Sequence, residues 1–278
     1  MKNIALGQYY PSGSVMHRLD PRMKIICALI FIVCSFLCKN IFSFLLLAVM
    51  ALFLVVLSKI PLKTVLKSIK AIIFIMIFTA VINIFWAKGS EESLLVSFRI
   101  FKWEMKIYSE GLYSAAFIVI RIVAMIIGSS VFMTYTTTPT QLTDGLEALL
   151  SPLKKIHVPV HTFAMMMTIA MRFIPTIMEE TEKIMSAQKA RGADFSTGSL
   201  MKRAKALVPV LIPLFISAFR RASDLATAMT CRCYRNGEGK TKMNELKFCT
   251  GDFFMLVAVC LFVGGIVVIN IFAPGYTM

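Results

Sequence analysis

Long runs of residues without charge decide what this chain can become. Residues 25–38, 41–57, 71–87 and 253–272 are apolar and carry no Asp, Glu, Lys or Arg, and residues 112–135 are broken only by Arg121. A helix needs about 20 apolar residues to cross the hydrocarbon of a bilayer. The first two runs each fall short, and one helix through both would overshoot. Together they predict a helical hairpin turning at Lys39 and Asn40, with Met23 and Lys24 lengthening the first arm by snorkelling. The pattern specifies an all-α integral membrane protein with about five transmembrane helices. Composition agrees: 16% of residues are charged and 58% hydrophobic, against about a quarter charged in soluble domains.

The formal net charge is +15. Most Lys and Arg flank the apolar runs, which is the positive-inside pattern, and no basic run is interleaved with aromatics as a nucleic-acid groove requires. Lys2, Arg18, Arg22 and Lys24 precede the first run, and Lys59, Lys63, Lys67 and Lys70 stand in a loop between the second and the third without an acid among them. Both segments belong in the cytoplasm. The segment 88–111 balances Lys88, Arg99, Lys102 and Lys106 against Glu91, Glu92, Glu104 and Glu110, and belongs outside. The expected organisation is a cytoplasmic N-terminal segment (1–24), transmembrane helices one to four (25–135), a cytoplasmic domain (136–251), and a last span with an extracytoplasmic C-terminus (252–278). Residues 1–22 contain no apolar core, so no cleavable signal peptide is expected. Seven cysteines, four of them in apolar runs, suggest no disulfide framework.

The stretch 136–251 is too long for a loop and reads as one short and two long helices. Thr138, Pro139 and Gln141 form a helix start with a capping box, and that helix runs to about Leu150. The second runs from about His161 to Arg191, with Gly192 offering a left-handed end and Pro175 a bend. The third runs from Thr197–Ser199 to about Tyr234, with Pro209 and Pro213 inside it. Both are apolar for helices in water. The prolines and flanking charges argue for helices along the membrane surface or under a partner rather than further spans.

No catalytic constellation is present in the sequence: no HExxH, GxSxG or Walker lysine loop, and no pair of intramembrane carboxylates. An enzyme is not indicated, and no cofactor is implied. His157 and His161 are separated by Pro159, which keeps them off one helix face, and Cys231 with Cys233 supplies only two of about four zinc ligands. Arg121 is costly in mid-span unless paired or wetted. It reads either as an ion pair or carbonyl contact within the bundle, or as a contact orienting the fourth span against the cytoplasmic helices. Arg191 and Arg232 each end a long helix, as Ala190-Arg191-Gly192 and Cys231-Arg232-Cys233. A cation in a last turn complements the helix dipole. Two such ends in one domain also make good plugs for acidic grooves, because guanidinium grips carboxylate as a fork.

Thr136-Thr137-Thr138-Pro139, Arg172-Phe173-Ile174-Pro175, Ala187 to Ala193, and Arg220-Arg221-Ala222 leading through Ala226 and Met229 to Arg232-Cys233-Tyr234 give a resemblance over nearly the whole chain. The chain resembles the transmembrane (T) component of energy-coupling factor transporters, the CbiQ/EcfT family. The resemblance implies that each X-Arg-X end docks on one of two cytoplasmic ABC-type ATPase subunits. It also implies that a separate S component binds the substrate, a vitamin or a nickel or cobalt ion. Such a chain is a non-catalytic subunit in a prokaryotic plasma membrane, with no substrate ligand of its own. Met165, Met166, Met167, Met171 and Met178 crowd the second long helix and are expected to form an adaptable seat for S components. The second motif departs from Ala-Arg-Gly, and Thr230 stands where an acid is common. Cysteine tolerates a left-handed end less well than glycine, so this helix is expected to end differently, near Asn236-Gly237. The competing reading is a secondary carrier or channel, which needs polar residues along a mid-membrane path.

Overall fold

The computed structural model describes residues 10, 12–86, 94–100, 103–157, 159–195, 197, 199–234 and 248–272. In chain order the elements are α1 (Val15–Arg18), α2 (Pro21–Leu37), α3 (Ile41–Ser58), α4 (Leu62–Trp86), β1 (Leu94–Ile100), β2 (Trp103–Tyr108), α5 (Ser109–Ser129), α6 (Pro139–Leu150), α7 (Val160–Ala190), α8 (Leu200–Cys231) and α9 (Thr250–Phe272). A π-helical stretch, Ser130–Tyr135, continues α5, and a 3-10 stretch, Ser151–Ile156, follows α6. The five expected spans become α2, α3, α4, α5 with its π-helical end, and α9. Six helices among the described residues are long and apolar enough to cross a membrane: α3, α4, α5 with its extension, α7, α8 and α9. The 17 residues of α2 make it shorter than any of these.

Two local expectations need correction. The basic segment 59–70 is not a loop: α4 begins at Leu62, so Lys63, Lys67 and Lys70 ride on its first turns. Pro61 directly before Leu62 favours this early start, since a proline fixes a helix-compatible φ without needing a donor. Segment 88–111 contains an antiparallel hairpin, with Arg99 opposite Glu104 in the register; Lys88, Glu91, Glu92 and Lys102 lie outside the described residues. Among the described residues the fold is therefore helical except for this small hairpin.

The chain divides into two units, Met1–Gly145 with Leu246–Met278, and Leu146–Glu245. The division falls inside α6. In the first unit α5 packs against α2, α3 and α4, and α9 packs against α2 and α3. Gly128 lets α5 approach α2 closely: a Cβ there would sit 2.2 Å from the Phe31 ring. The core contains Phe31, Phe44, Leu47, Leu54, Phe132 and Tyr135, with the Phe44 and Phe117 rings stacked at 4.9 Å.

Polar side chains fix both ends of this bundle. The last carbonyls of α2 lack helical partners. Asn270 of α9 donates to the Leu37 carbonyl at 2.7 Å, and Arg121 of α5 donates to the Cys38 carbonyl at 3.0 Å. Asn270 also accepts from Ser43 of α3, and the Arg121 guanidinium lies 5.2 Å from the centre of the Phe44 ring. Arg121 thus makes the carbonyl contact within the bundle, at the α2–α3 turn. At the opposite end Lys24 is buried, donating to the Thr136 carbonyl at 2.8 Å. Snorkelling, expected from the sequence, is ruled out because the ammonium finds a carbonyl inside the protein. Asp252 accepts from the Asp20 and Cys249 amides, both at 2.7 Å, so one carboxylate joins the starts of α2 and α9.

These bonds give directions. The starts of α2 and α9 meet at Asp252 and their far ends meet at Asn270, so the two helices run parallel. Thr136, just beyond the π-helical end of α5, also lies at the start of α2. Both ends of the stretch from Thr136 to Asp252 therefore emerge at the same end of the bundle.

In the second unit α7 and α8 run antiparallel. Glu180 pairs with Arg221 at 3.1 Å and accepts from Ser217, while Gln188 donates to the Pro209 carbonyl at 3.5 Å. Partners fall in number along α8 as they rise along α7. His161 pairs with Glu147 at 2.8 Å.

Replacing the Asp252 carboxylate leaves two backbone donors without their acceptor. Such a loss typically costs about 1–3 kcal/mol per group. Asp252→Ala is expected to lower the thermal unfolding midpoint of the detergent-solubilised chain by several degrees, whereas Asp144→Ala, at a half-buried position, should change it less. Equal midpoints for Asp252→Ala and the wild type would refute the role of this carboxylate.

Candidate functional site

The start of α6 forms as its sequence dictates. The Thr138 hydroxyl accepts from the Gln141 amide at 3.3 Å, and the Gln141 side chain accepts from the Thr138 amide at 3.1 Å. This reciprocal pair is the capping box. It sets the chain on its course after Thr136 and Thr137, both buried, and α6 still packs closely on Pro21 and Ile25 of α2 at Gly145.

The ends of α7 and α8 carry the arginines, and their backbones match bond for bond. In α7 the Arg191 amide bonds the Ala187 and Gln188 carbonyls, the Gly192 amide bonds Lys189 at 2.9 Å, and the Ala193 amide bonds Gln188 at 2.9 Å. In α8 the Arg232 amide bonds Ala228 and Met229, the Cys233 amide bonds Thr230 at 2.9 Å, and the Tyr234 amide bonds Met229 at 3.0 Å. Both are Schellman ends, with the residue after the arginine in the left-handed region. Gly192 has φ +88° and Cys233 has φ +55°.

This overturns the expectation that α8 ends differently from α7. The helix stops at Cys231 rather than running on to Asn236-Gly237, which lie outside the described residues. The hydrogen bonds of the terminal turn outweigh the steric cost of a Cβ at positive φ, about 1–2 kcal/mol. Sequence reasoning weighted the missing glycine and overlooked that an identical bond pattern was available.

Arg191 and Arg232 are exposed, as are Ala190, Gly192, Cys231 and Cys233. The α7–α8 contact includes Glu180 with Ser217 and Arg221, and Gln188 with Pro209. Hydrogen bonding from Ser217, with help from Arg221, holds the Glu180 carboxyl below its usual range. From Glu180, α7 continues about 16 Å to Arg191, still touching α8 where Gln188 donates to Pro209, and from Ser217 α8 continues about 22 Å to Arg232, at about 1.5 Å per residue. Because the helices are antiparallel, the two arginines sit at opposite ends of the pair. Each is an exposed cation at the end of a long helix, well away from the other, with Lys189 exposed in the last turn before Arg191.

The methionines divide. Met166 and Met178 are exposed, while Met165, Met167 and Met171 are half-buried. The larger apolar surface lies on α8: Val208, Leu211, Ile212, Phe215 and Phe219 are all exposed, with the last two rings 5.1 Å apart. Their spacing of three and four places them on one face. The apolar run was visible in the sequence, but which residues it leaves uncovered depends on how α7 packs.

The left-handed Cys233 supplies a test of the end geometry. Cys233→Gly is expected to favour the Schellman end by about 0.5–1 kcal/mol. Hydrogen exchange at the Tyr234 amide should slow about two- to fivefold. Unchanged or faster exchange would argue against the left-handed assignment.

The family model described as "Cobalt transport protein", CbiQ, matches residues 12–243. An energy-coupling factor transporter transmembrane protein EcfT from Clostridium kluyveri is 49% identical over 266 residues, covering 94% of this chain and 96% of its own. Its counterpart from Ruminiclostridium cellulolyticum is 47% identical over 271 residues, 97% of this chain and 98% of its own. The Bacillus subtilis protein of the same name is 42% identical over 259 residues, 93% and 95% of the two chains. Similarity of this depth runs through the membrane bundle and both arginine-tipped helices, and the chain belongs to the CbiQ family as a transmembrane component of energy-coupling factor transporters.

Proposed function

We propose that this chain is the coupling subunit of an importer driven by two ABC-type ATPase subunits, and that it does no chemistry itself. The observation that carries the proposal is the matched pair of helix ends. Two exposed arginines, each fixed by a Schellman turn and carried to opposite ends of an antiparallel pair, suit two equivalent acidic grooves on two separate subunits. Guanidinium binds carboxylate in a defined orientation, so a docked end resists both sliding and rotation. When the ATPase subunits close, the ends move with them. The Glu180–Arg221–Ser217 link turns movement of one helix into movement of the other.

The reading places α7 and α8 in the cytoplasm with α6. Arg172, Glu179, Glu180, Glu182 and Lys183 on α7, and Lys202, Arg203, Lys205, Arg220, Arg221 and Asp224 on α8, would be expensive inside hydrocarbon. Both ends of the stretch leave the membrane bundle at one side, next to the basic residues that favour the cytoplasm. The N-terminus is then cytoplasmic and the C-terminus extracytoplasmic. The apolar face of α8, with Met166 and Met178 of α7, serves as the seat of an S component that carries a vitamin or a transition-metal ion. A secondary carrier is less well supported: Arg121, the mid-membrane cation, already holds the Cys38 carbonyl.

Cysteine-accessibility labelling in a cysteine-free background is expected to place the β1–β2 hairpin and the start of α4 on opposite sides of the membrane. Modification of both from one side would refute the orientation.

Copurification and substrate uptake test the coupling role. Truncating one partner of an interfacial charge pair typically costs about 2–5 kcal/mol. Arg191→Ala and Arg232→Ala should each weaken association with the ATPase subunits or uncouple uptake, at normal membrane insertion. The double variant should be worse than either, and lysine should rescue poorly. Phe215→Glu with Phe219→Glu should release the S component while the ATPase subunits stay bound. Full uptake by the double alanine variant at normal expression would eliminate the mechanism.

A further inference from the structure

The first turns of α4 carry a surface that the coupling role does not use. Tyr135 sets the rotation of this helix. Its hydroxyl donates to the Thr64 carbonyl at 3.2 Å and hydrogen-bonds Ser68, and Val65 beside them is buried. With Thr64, Val65 and Ser68 turned inward, a helix of 3.6 residues per turn presents Lys63, Lys67 and Lys70 on the opposite side. All three are exposed. The same stripe continues as Phe74, Ile77, Phe78 and Val81, all exposed, with Phe74 at 78%. Lys59, exposed at the end of α3, lies just before it. No Asp or Glu occurs between Lys59 and Trp86.

Length matches this division. The 25 residues of α4 span about 37 Å, against about 30 Å of hydrocarbon. The excess, about five residues, corresponds to the turn that carries Lys63, and the longer stems let Lys67 and Lys70 reach the same layer. One face of one helix is therefore apolar over the acyl-chain depth and carries three cations and no acid at the headgroup depth, with Leu66 exposed beside them.

We propose that Lys63, Lys67 and Lys70 form a binding site for the phosphates of anionic glycerophospholipids, whose acyl chains lie along Phe74, Ile77 and Phe78. Three ammonium groups at spacings of four and three stand about 5–6 Å apart at their Cβ atoms, close enough to share one headgroup phosphate or to bridge two neighbouring lipids. The occupant is a lipid rather than an acidic protein surface because the cationic and apolar parts are continuous along the membrane normal. The inference is independent of the docking role of Arg191 and Arg232.

The test uses the purified full chain in detergent, titrated with dioleoyl phosphatidylglycerol or dioleoyl phosphatidylcholine, with bound lipids counted by native mass spectrometry. A basic residue at a membrane surface contributes about fivefold in affinity for anionic lipid. The wild type should prefer phosphatidylglycerol by about tenfold or more, and raising salt from about 0.05 to 0.5 M should erode the preference. Lys63→Gln/Lys67→Gln/Lys70→Gln should bring the two lipids to within about twofold. Lys202→Gln/Arg203→Gln/Lys205→Gln, which removes the same charge from α8, should retain the preference. A photoactivatable phosphatidylglycerol on the wild type gives a readout that needs no variant: the labelled peptide should contain Phe74 or its neighbours on α4. Labelling confined to other helices, an unchanged preference in the α4 variant, or loss of preference in the α8 variant would overturn the proposal. Displacement of the photolipid by about 10 mM inorganic phosphate would also overturn it, because a lipid site held along an apolar stripe resists a free anion.

Discussion

A bilayer offers no water to satisfy a carbonyl or an ammonium, and that constraint organises this molecule. The α2–α3 turn leaves the last carbonyls of α2 without helical partners. Arg121 from α5 and Asn270 from α9 supply donors to them. The arginine that looks costly in the sequence is thereby placed where its charge is useful: it closes one helix end and faces the Phe44 ring. At the other end, Lys24 and Asp252 do the same work for the Thr136 carbonyl and for the amides of Asp20 and Cys249. Apolar packing sets which helices touch, and these few polar bonds set their direction and register.

The directions have functional weight. A transporter subunit that receives force on one side of a membrane needs both ends of its force-receiving segment on that side. Here Thr136 and Asp252, which bound the stretch between α5 and α9, converge on the start of α2, held by buried hydrogen bonds, as the proposed coupling role requires. In the proposed coupling role, the chain enters and leaves the stretch that holds α6, α7 and α8 at Thr136 and Asp252, where these bonds hold the bundle. Helix ends with unpaired carbonyls would fray under load; the Schellman turns after Ala190 and Cys231 give each rod a fixed tip.

Much of this was legible along the chain. Spans stood out because charge is excluded from hydrocarbon, and the capping box at Thr138 and Gln141 was readable because its chemistry lies within four residues. The ends of α7 and α8 were located within a few residues for the same reason. The errors share a cause as well. Sequence pattern puts Lys24 at the membrane surface, since nothing nearby in the chain shows that Thr136, more than a hundred residues away, offers it a carbonyl. The basic segment before the third span looks like a loop because lysine is polar, although lysine is also a good helix former.

What the sequence determined by itself is the membrane class, the family, the approximate helices and the two arginines that end α7 and α8, all of which depend on local pattern. Tertiary structure decided the rest: which side of α4 is basic, which apolar residues of α8 remain uncovered, how Arg121 and Lys24 are satisfied, and that a cysteine takes the turn a glycine takes in α7. Exposure and pairing depend on neighbours distant in the chain. A helical pattern fixes which residues share a face, but only packing against Tyr135 or α7 fixes where that face points.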